Sequence, residues 1–295
     1  MNMLAPVRIA SRVLILAALA ALATGCGAGG DNAAINTAAR ADTTGLEGLA
    51  VIKPGELSYY PPGEYLKGGY PVNPPLTQLV FNTNLHIMQR QVSQAEFAAC
   101  VQAKACKQLD KDQRGAVAPN LPVVGVSWRD ATDYAAWLSR ETGHHYRLPS
   151  FAEWVHAAGP GYKEDIVLEA FDPADPAQRW LAEYKLETQR STAVDAQLRP
   201  FGGFGQNEAG MQDMVGNVWD WTDTCHSRYN LDISDVSSNS KGGQNCGLRV
   251  VAGPHRSVIT DFIRDPKGGA CSVGIPPSNL GFRLVRDETS LRPAG

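Results

Sequence analysis

Residues 121–159, LPVVGVSWRDATDYAAWLSRETGHHYRLPSFAEWVHAAG, constrain the fold more than any other stretch. The apolar run 121–126 reads as a short strand. Ser127, with Asp130 three residues on, forms an N-cap and capping-box pair. Behind it, Ala131, Tyr134, Ala135 and Leu138 fall at i, i+3, i+4 and i+7, one apolar helix face. Gly143 is placed to end that helix in a left-handed conformation. Arg147-Leu148-Pro149 leads to a second start, where Ser150 and Glu153 make a full S-x-x-E box. Phe151, Trp154, Val155 and Ala158 repeat the apolar spacing, and Gly159-Pro160 stops the helix. The pattern predicts strand, helix, turn, helix, which is architecture without chemistry.

The flanking chain is less regular. Ser93 with Glu96 is a third capping box, opening a helix through about Lys104, and 79–88 alternates like a strand. Residues 55–70, rich in Gly, Pro and Tyr, predict irregular chain with short extended pieces. Residues 164–170 and 177–187 suit short helices kept apart by Pro173 and Pro176. The run FGGFG at 201–205 has neither the preceding strand nor the following Lys-Ser/Thr helix of a phosphate cradle, so it reads as a turn. Residues 227–243 are polar and loop-like. Much of the chain is therefore loop between few regular elements, and ordered loops on a rigid scaffold are where binding usually sits.

At the N-terminus, Arg8 and Arg12 precede an apolar run at 13–23 that is too short to span a bilayer and has the layout of a secretory signal. It ends Leu22-Ala23-Thr24-Gly25-Cys26, small residues before a cysteine that resemble a bacterial lipobox. The alternative is ordinary signal cleavage with an incidental cysteine. Residues 27–50 are nearly free of bulky side chains and cannot bury a core. As a flexible coil they would span on the order of 25–30 Å. The expected organisation is a lipoprotein signal at 1–25, a lipidated Cys26 with its tether at 26–50, and one domain at 51–295. Such a chain would be exported and held to the membrane of the cell envelope by its lipid. Net charge is −3 with neither sign clustered, which gives no footprint for nucleic acid.

An exported protein meets an oxidising compartment. Beyond Cys26 the chain has Cys100, Cys106, Cys225, Cys246 and Cys271, an odd number. Cys100–Cys106 and Cys225–Cys246 each flank one local loop and are the expected bridges. The first is feasible only if its helix ends near Lys104, because residues six apart on a continuous helix point to different sides. Cys271 is left over, as a buried inert thiol or a reactive one.

The segments VGVSWRDATDYAAWLS and YRLPSFAEWVHAAG, then GMQDMVGNVWDW at 210–221 and NLGFRLVR at 279–286, resemble in order the signatures of the sulfatase-modifying-factor, or formylglycine-generating-enzyme-like, family. The likeness spans roughly residues 55–287. It implies an α+β, C-type-lectin-like fold with few strands, short helices and long loops. In the stretch 213–220 two carboxylates bracket a glycine turn, and oxygen-only ligation favours calcium before magnesium. The resemblance implies a calcium site there, with Asp213 and Asp220 as side-chain ligands and Gly216 and Val218 giving carbonyl oxygens. The alternative is a metal-free turn whose Asp residues cap amides.

The family's chemistry is oxidation of a substrate cysteine to formylglycine, by two cysteines five residues apart after a Gly-Gly-Ser-aromatic turn. The corresponding segment 249–263, RVVAGPHRSVITDFI, has Gly253-Pro254-His255-Arg256 at the turn and Val258 and Ile263 near the cysteine positions. Hydrocarbon cannot replace thiolates that select Cu(I), so a formylglycine-generating oxidase is not expected. Trp219, whose counterpart lines that pocket, also suits a plain core role. His255, Arg256 and Asp261 could form an acid–base pair or an anion site, or His255 could be structural. His144 and His145 sit past a helix end, where a cationic ring suits the dipole. The expectation is a lipid-anchored envelope protein with a non-catalytic binding or accessory role in an envelope protein complex. The competing expectation is an oxidoreductase or maturation enzyme acting on an exported peptide or metabolite.

Overall fold

A computed structural model of the chain describes residues 48–110, 118–163, 175–191, 197–232, 243–265 and 279–290. All belong to the unit Ala41–Gly295. The expectations for the signal, Cys26, residues 26–47 of the tether, the helix at 164–170 and Cys271 fall outside these residues.

All three capping boxes form. In α1 (Gln94–Gln102), α2 (Trp128–Thr142) and α3 (Phe151–Ala158), the N-cap serine accepts from the N3 amide and the N3 carboxylate reaches back to the serine amide. Each box fixes where its helix starts, typically for about 1 kcal/mol. Gly143 ends α2 at φ 72°, the left-handed value its position called for. Helix α1 stops at Ala103, and Lys104 turns the chain at φ 59°. That reversal brings Cys106 back to Cys100 in a disulfide with Cα atoms 5.3 Å apart.

Five expectations need correction. The expected tether ends too late, since Leu49 and Ala50 open a strand and Ala50 is buried in the core. The expected loop at 227–243 starts too early, since residues 227–230 finish the strand Trp219–Asn230. Residues 121–126 are not a strand: their one ladder contact is an isolated bridge from Pro122 to Ser93. Val123 and Val126 are buried all the same. The apolar run reflects burial rather than sheet pairing, and Gly125 at φ 69° breaks the pleat. Between α2 and α3 lies a strand, β7 (His144–Arg147), where a turn was expected, so His144 and His145 sit on a sheet. The expected strand at 79–88 is two strands, split by Asn82-Thr83-Asn84.

The strands form three sheets. β1 (Leu49–Ile52), β6 (Leu85–Met88), β12 (Val285–Ser290) and β7 lie in the order β1-β6-β12-β7, all antiparallel. Ala50, Ile87 and Val285 are in register across it and face one core. The second sheet runs β10 (Arg256–Thr260), β9 (Gln244–Ala252), β8 (Trp219–Asn230), β3 (Glu64–Lys67), β4 (Tyr70–Val72). β3 and the two-residue β11 (Leu280–Gly281) pair with β8 in parallel. The Cys225–Cys246 disulfide ties β8 to β9. β2 (Gly55–Tyr59) and β5 (Thr77–Phe81) make a separate pair, and α4 spans Pro176–Ser191.

Two apolar clusters hold these layers together. One packs α1 and α2 on the β8-β9-β10 face, with Phe97, Tyr134 and Phe282 as an aromatic set around Trp221, Val251 and Ile259. The other sets α3, through Phe151, Trp154 and Val155, against β1, β6 and the opposite face of β9 at Val250 and Ala252. The fold is α+β with few regular elements and long loops. Among the described residues no helix is long and apolar enough to cross a membrane.

Candidate functional site

The Asp213–Asp220 turn sits between the two clusters. Asp220, at the start of β8, is fully buried. Its Oδ2 accepts from Arg283 Nε at 2.6 Å and from Trp154 Nε1 at 2.9 Å. Arg283 is also fully buried, and its two terminal nitrogens donate to the carbonyls of Gln89 and Gln212 at 3.0 Å each. One guanidinium thus joins β8, the end of β6, the 212 loop and the link from β11 to β12. Asp220 Oδ1 is buried without a hydrogen-bond partner.

Asp213 is buried at φ 54°. Its two oxygens accept from the amides of Phe204 at 2.7 Å and Gly202 at 2.8 Å. The FGGFG run is therefore a turn, and the anion its amides hold is the chain's own carboxylate. Asn217, at φ 64°, clasps Arg199 through both backbone groups: its Oδ1 accepts from the amide at 3.0 Å, and its Nδ2 donates to the carbonyl at 2.9 Å. Gly216 has a steric reason: a Cβ there would lie 2.4 Å from the Phe204 ring. Its carbonyl accepts from the Val218 amide at 2.8 Å.

Asp213 is directed at two amides, the Gly216 carbonyl at an amide, and one oxygen of Asp220 at two donors. Asp220 Oδ1 is left without a hydrogen-bond partner, and Arg283 balances that carboxylate's charge. Among the described residues no three His, Cys, Asp or Glu side chains converge as a metal group.

The second candidate is the 253–263 segment. Gly253 lies against Trp219, where a Cβ would fall 2.8 Å from the indole. Trp219 is buried in the first apolar cluster, which is its core role. The buried His255 ring meets Trp219 edge-on, centroids 5.6 Å apart, with Nδ1 3.1 Å from the Arg256 carbonyl. Arg256 Nη1 donates to the Tyr60 carbonyl at 2.6 Å, fastening β10 to the chain before β3. Asp261 does not join them: its carboxylate receives Arg129 at 3.0 and 3.2 Å. Val258 and Ile263 are both half-buried, and Ile263 packs on the first cluster. Of the other histidines, His145 pairs with Asp287 at 2.7 Å. His156 stacks on Phe81, centroids 4.2 Å apart.

Sequence reasoning missed the arginines. Arg90 and Arg147 each grip the capping glutamate six residues on, at 2.8–2.9 Å to Glu96 and 2.7–2.8 Å to Glu153. Arg264 grips the capping Asp130 at 2.7 and 2.8 Å. Burial raises all three carboxyls, but the arginines' hydrogen bonds and charge, with the cap serines, outweigh it and hold them below the ordinary carboxylate range. A signal was present for two of them: R-x-x-S-x-x-E occurs at both 90–96 and 147–153.

Residues 35–288 match the family described as Sulfatase-modifying factor enzyme 1-like domain. The formylglycine-generating enzyme of Streptomyces coelicolor is 32% identical over 177 residues, 57% of this chain and 54% of that protein. The inactive C-alpha-formylglycine-generating enzyme 2 of Mus musculus is 34% identical over 168 residues, 56% of this chain and 49% of that protein. The chain thus spans about half the length of these curated relatives. Among solved structures, PvdO from Pseudomonas aeruginosa superposes with TM-score 0.50 at 22% identity, covering 81% of this chain and 94% of PvdO, a likeness of fold. With three ordered signatures on one architecture, and most of its length matched, the chain belongs to the sulfatase-modifying factor enzyme 1-like family.

Proposed function

We propose that this chain is a lipid-anchored cell-envelope protein whose domain binds a protein partner and does not perform the family oxidation. The observation that carries the second half is the 253–263 segment. Val258 and Ile263 stand near the positions of the thiolate pair, and both present hydrocarbon, half-buried. The residues there do not fit a Cu(I) ion, which thiolates would hold. The similarity to an inactive relative supports the same reading. The anchor rests on the 13–26 pattern, an apolar run ending in small residues before Cys26.

The scaffold supports a binding role. The Asp213–Asn217 turn holds the 199–204 loop by four hydrogen bonds. That loop is fixed without a ligand, and pre-ordered loops lose less entropy on binding. Calcium belongs to this proposal as a structural ion. It would take Asp220 Oδ1, with Asp213 and the carbonyls of Gly216 and Val218 as the remaining expected donors, and would reinforce a turn that Arg283 already neutralises.

Purified protein supplied with copper and a cysteine-containing sulfatase peptide should form no aldehyde. Oxygen-dependent aldehyde formation would overturn the non-catalytic reading. Cys26→Ser should change processing and release the chain from membranes; a variant processed and fractionating like wild type would overturn the anchor.

A further inference from the structure

Helix α4 is turned the wrong way round for a surface helix. Ala177, Trp180, Leu181, Tyr184 and Thr188 recur at helical spacing on one face, and all are exposed. Trp180, Leu181 and Tyr184 are 56%, 57% and 58% exposed, with the two aromatic rings stacked 5.9 Å apart. The opposite face carries Arg179, Ala182, Glu183 and Leu186, and it is this face that is partly covered. Arg179 and Glu183 form an ion pair on that side at 2.8 Å. An ordinary amphipathic helix buries its apolar stripe and shows its charges to water. Other large exposed apolar side chains, such as Val51, Leu231 and Phe262, are far apart in sequence, whereas α4 collects three within five residues.

We propose that this stripe lies in the headgroup layer of the membrane that carries the anchor. Tryptophan and tyrosine suit that layer because the ring enters the acyl boundary while the polar edge stays hydrated. Lys185, exposed beside the stripe, can reach lipid phosphate. The inference rests on the anchor reading. The sequence has few residues between Cys26 and the first strand at Leu49, so an anchor at Cys26 would tie the domain to the bilayer. The lipid surface would then be a standing partner for the stripe. A lipid-modified cysteine holds the chain to the bilayer, and the stripe would set how the domain lies against it.

The chain carries its own probe. Of its six tryptophans, Trp180 alone is exposed; Trp154, Trp219 and Trp221 are buried and Trp128 and Trp137 half-buried. The full lipidated protein is reconstituted in phosphatidylethanolamine–phosphatidylglycerol vesicles, with and without acyl-brominated lipid. Brominated lipid should quench part of the emission, and Trp180→Phe should remove that quenching while leaving melting unchanged. Protein that floats with vesicles but shows no quenching overturns this inference and leaves the anchor standing. Protein that does not float at all overturns the anchor and this inference together. Shielding of Trp180 from acrylamide that depends on protein concentration, without vesicles, would mean a second copy covers the stripe and would also overturn it.

Discussion

Arginine meets carboxylate in two kinds of place in this molecule. At the helix starts, Arg90–Glu96 and Arg147–Glu153 close over six residues of sequence, with the arginines about one-third exposed at 35% and 34%. At the centre, Arg283 and Asp220 come from 63 residues apart and are 0% and 1% exposed. The local clamps orient a helix on its own strand; the central pair joins β8 to three other segments. Exposed pairs contribute little, and buried ones are strongly destabilising to break because the survivor is left charged in a dry site.

The largest expected effect follows from that contrast. Arg283→Met should cost about 3–5 kcal/mol in urea or guanidinium unfolding, since Asp220 would keep only Trp154. Adding Asp220→Leu to it should recover part of the loss, because both charges are then gone. If Arg283→Met alone costs less than about 1 kcal/mol, the central pair is no different in kind from the clamps.

The same contrast explains what was legible in the sequence. Helix starts are local chemistry: Ser127 and Asp130, or Ser150 and Glu153, are three residues apart, so spacing alone located them. The strand β7 was missed because HHYR carries no period of its own; among the described residues it pairs with β12, far along the chain. Arg283 hid in plain view between Phe282 and Leu284, where sequence indicates burial but not which carboxylate answers the charge. At the candidate sites, the resemblance set Trp219 either in the pocket of the 253–256 turn or in the core, and the sequence left His255 either structural or paired with Asp261. Asp261 instead meets Arg129, on a helix 132 residues earlier. A short separation along a strand end says little about where a side chain points.

Calcium is the next test, and as proposed it would act on the central region. An ion bound at the proposed Asp220 site would stabilise the native state by mass action, about 2.7 kcal/mol at about 100 times Kd. For a domain of this size that is a rise of about 5–10 °C in Tm. Asp220→Ala should abolish the response, while Asp223→Ala, whose carboxylate pairs with Arg249, should keep it. Equal melting of wild type in excess calcium and in excess chelator would remove the ion from the proposal. The turn would then stand on Arg283 and the Gly202 and Phe204 amides.

The clamps should rank below both. Arg147→Met should cost about 1–2 kcal/mol and Arg90→Met about 1 kcal/mol or less. Arg147 is the larger because Glu153 is more buried than Glu96, 15% against 35% exposed, and because Arg147 also holds Asp287. Arg90, in turn, lies over the Phe201 ring at 4.6 Å, so its loss should loosen the 199–204 loop as well. Hydrogen exchange at the Gly202 and Phe204 amides separates the two variants: faster in Arg90→Met, unchanged in Arg147→Met. The reverse pattern would mean that the two copies of R-x-x-S-x-x-E do not differ as their neighbours suggest.

Acid sharpens the comparison further, with the smallest effect per group. Desolvation raises Glu96, Glu153 and Asp130, but their arginines and cap serines hold them lower in the folded chain than in the unfolded one. A depressed folded value contributes stability that is fully present above the unfolded carboxyl range, near pH 4, and is lost as pH falls through the folded values. Urea midpoints should therefore be level with respect to these groups from pH 7 to about 5 and decline below about 4. Removing an arginine lets its carboxyl return toward the unfolded value, so Arg147→Met should start lower at pH 7 and show a shallower acid decline. The two curves should converge toward pH 3. Curves that stay parallel down to pH 3 would show that Arg147 stabilises the α3 start through packing of its stem and not through the charge of Glu153.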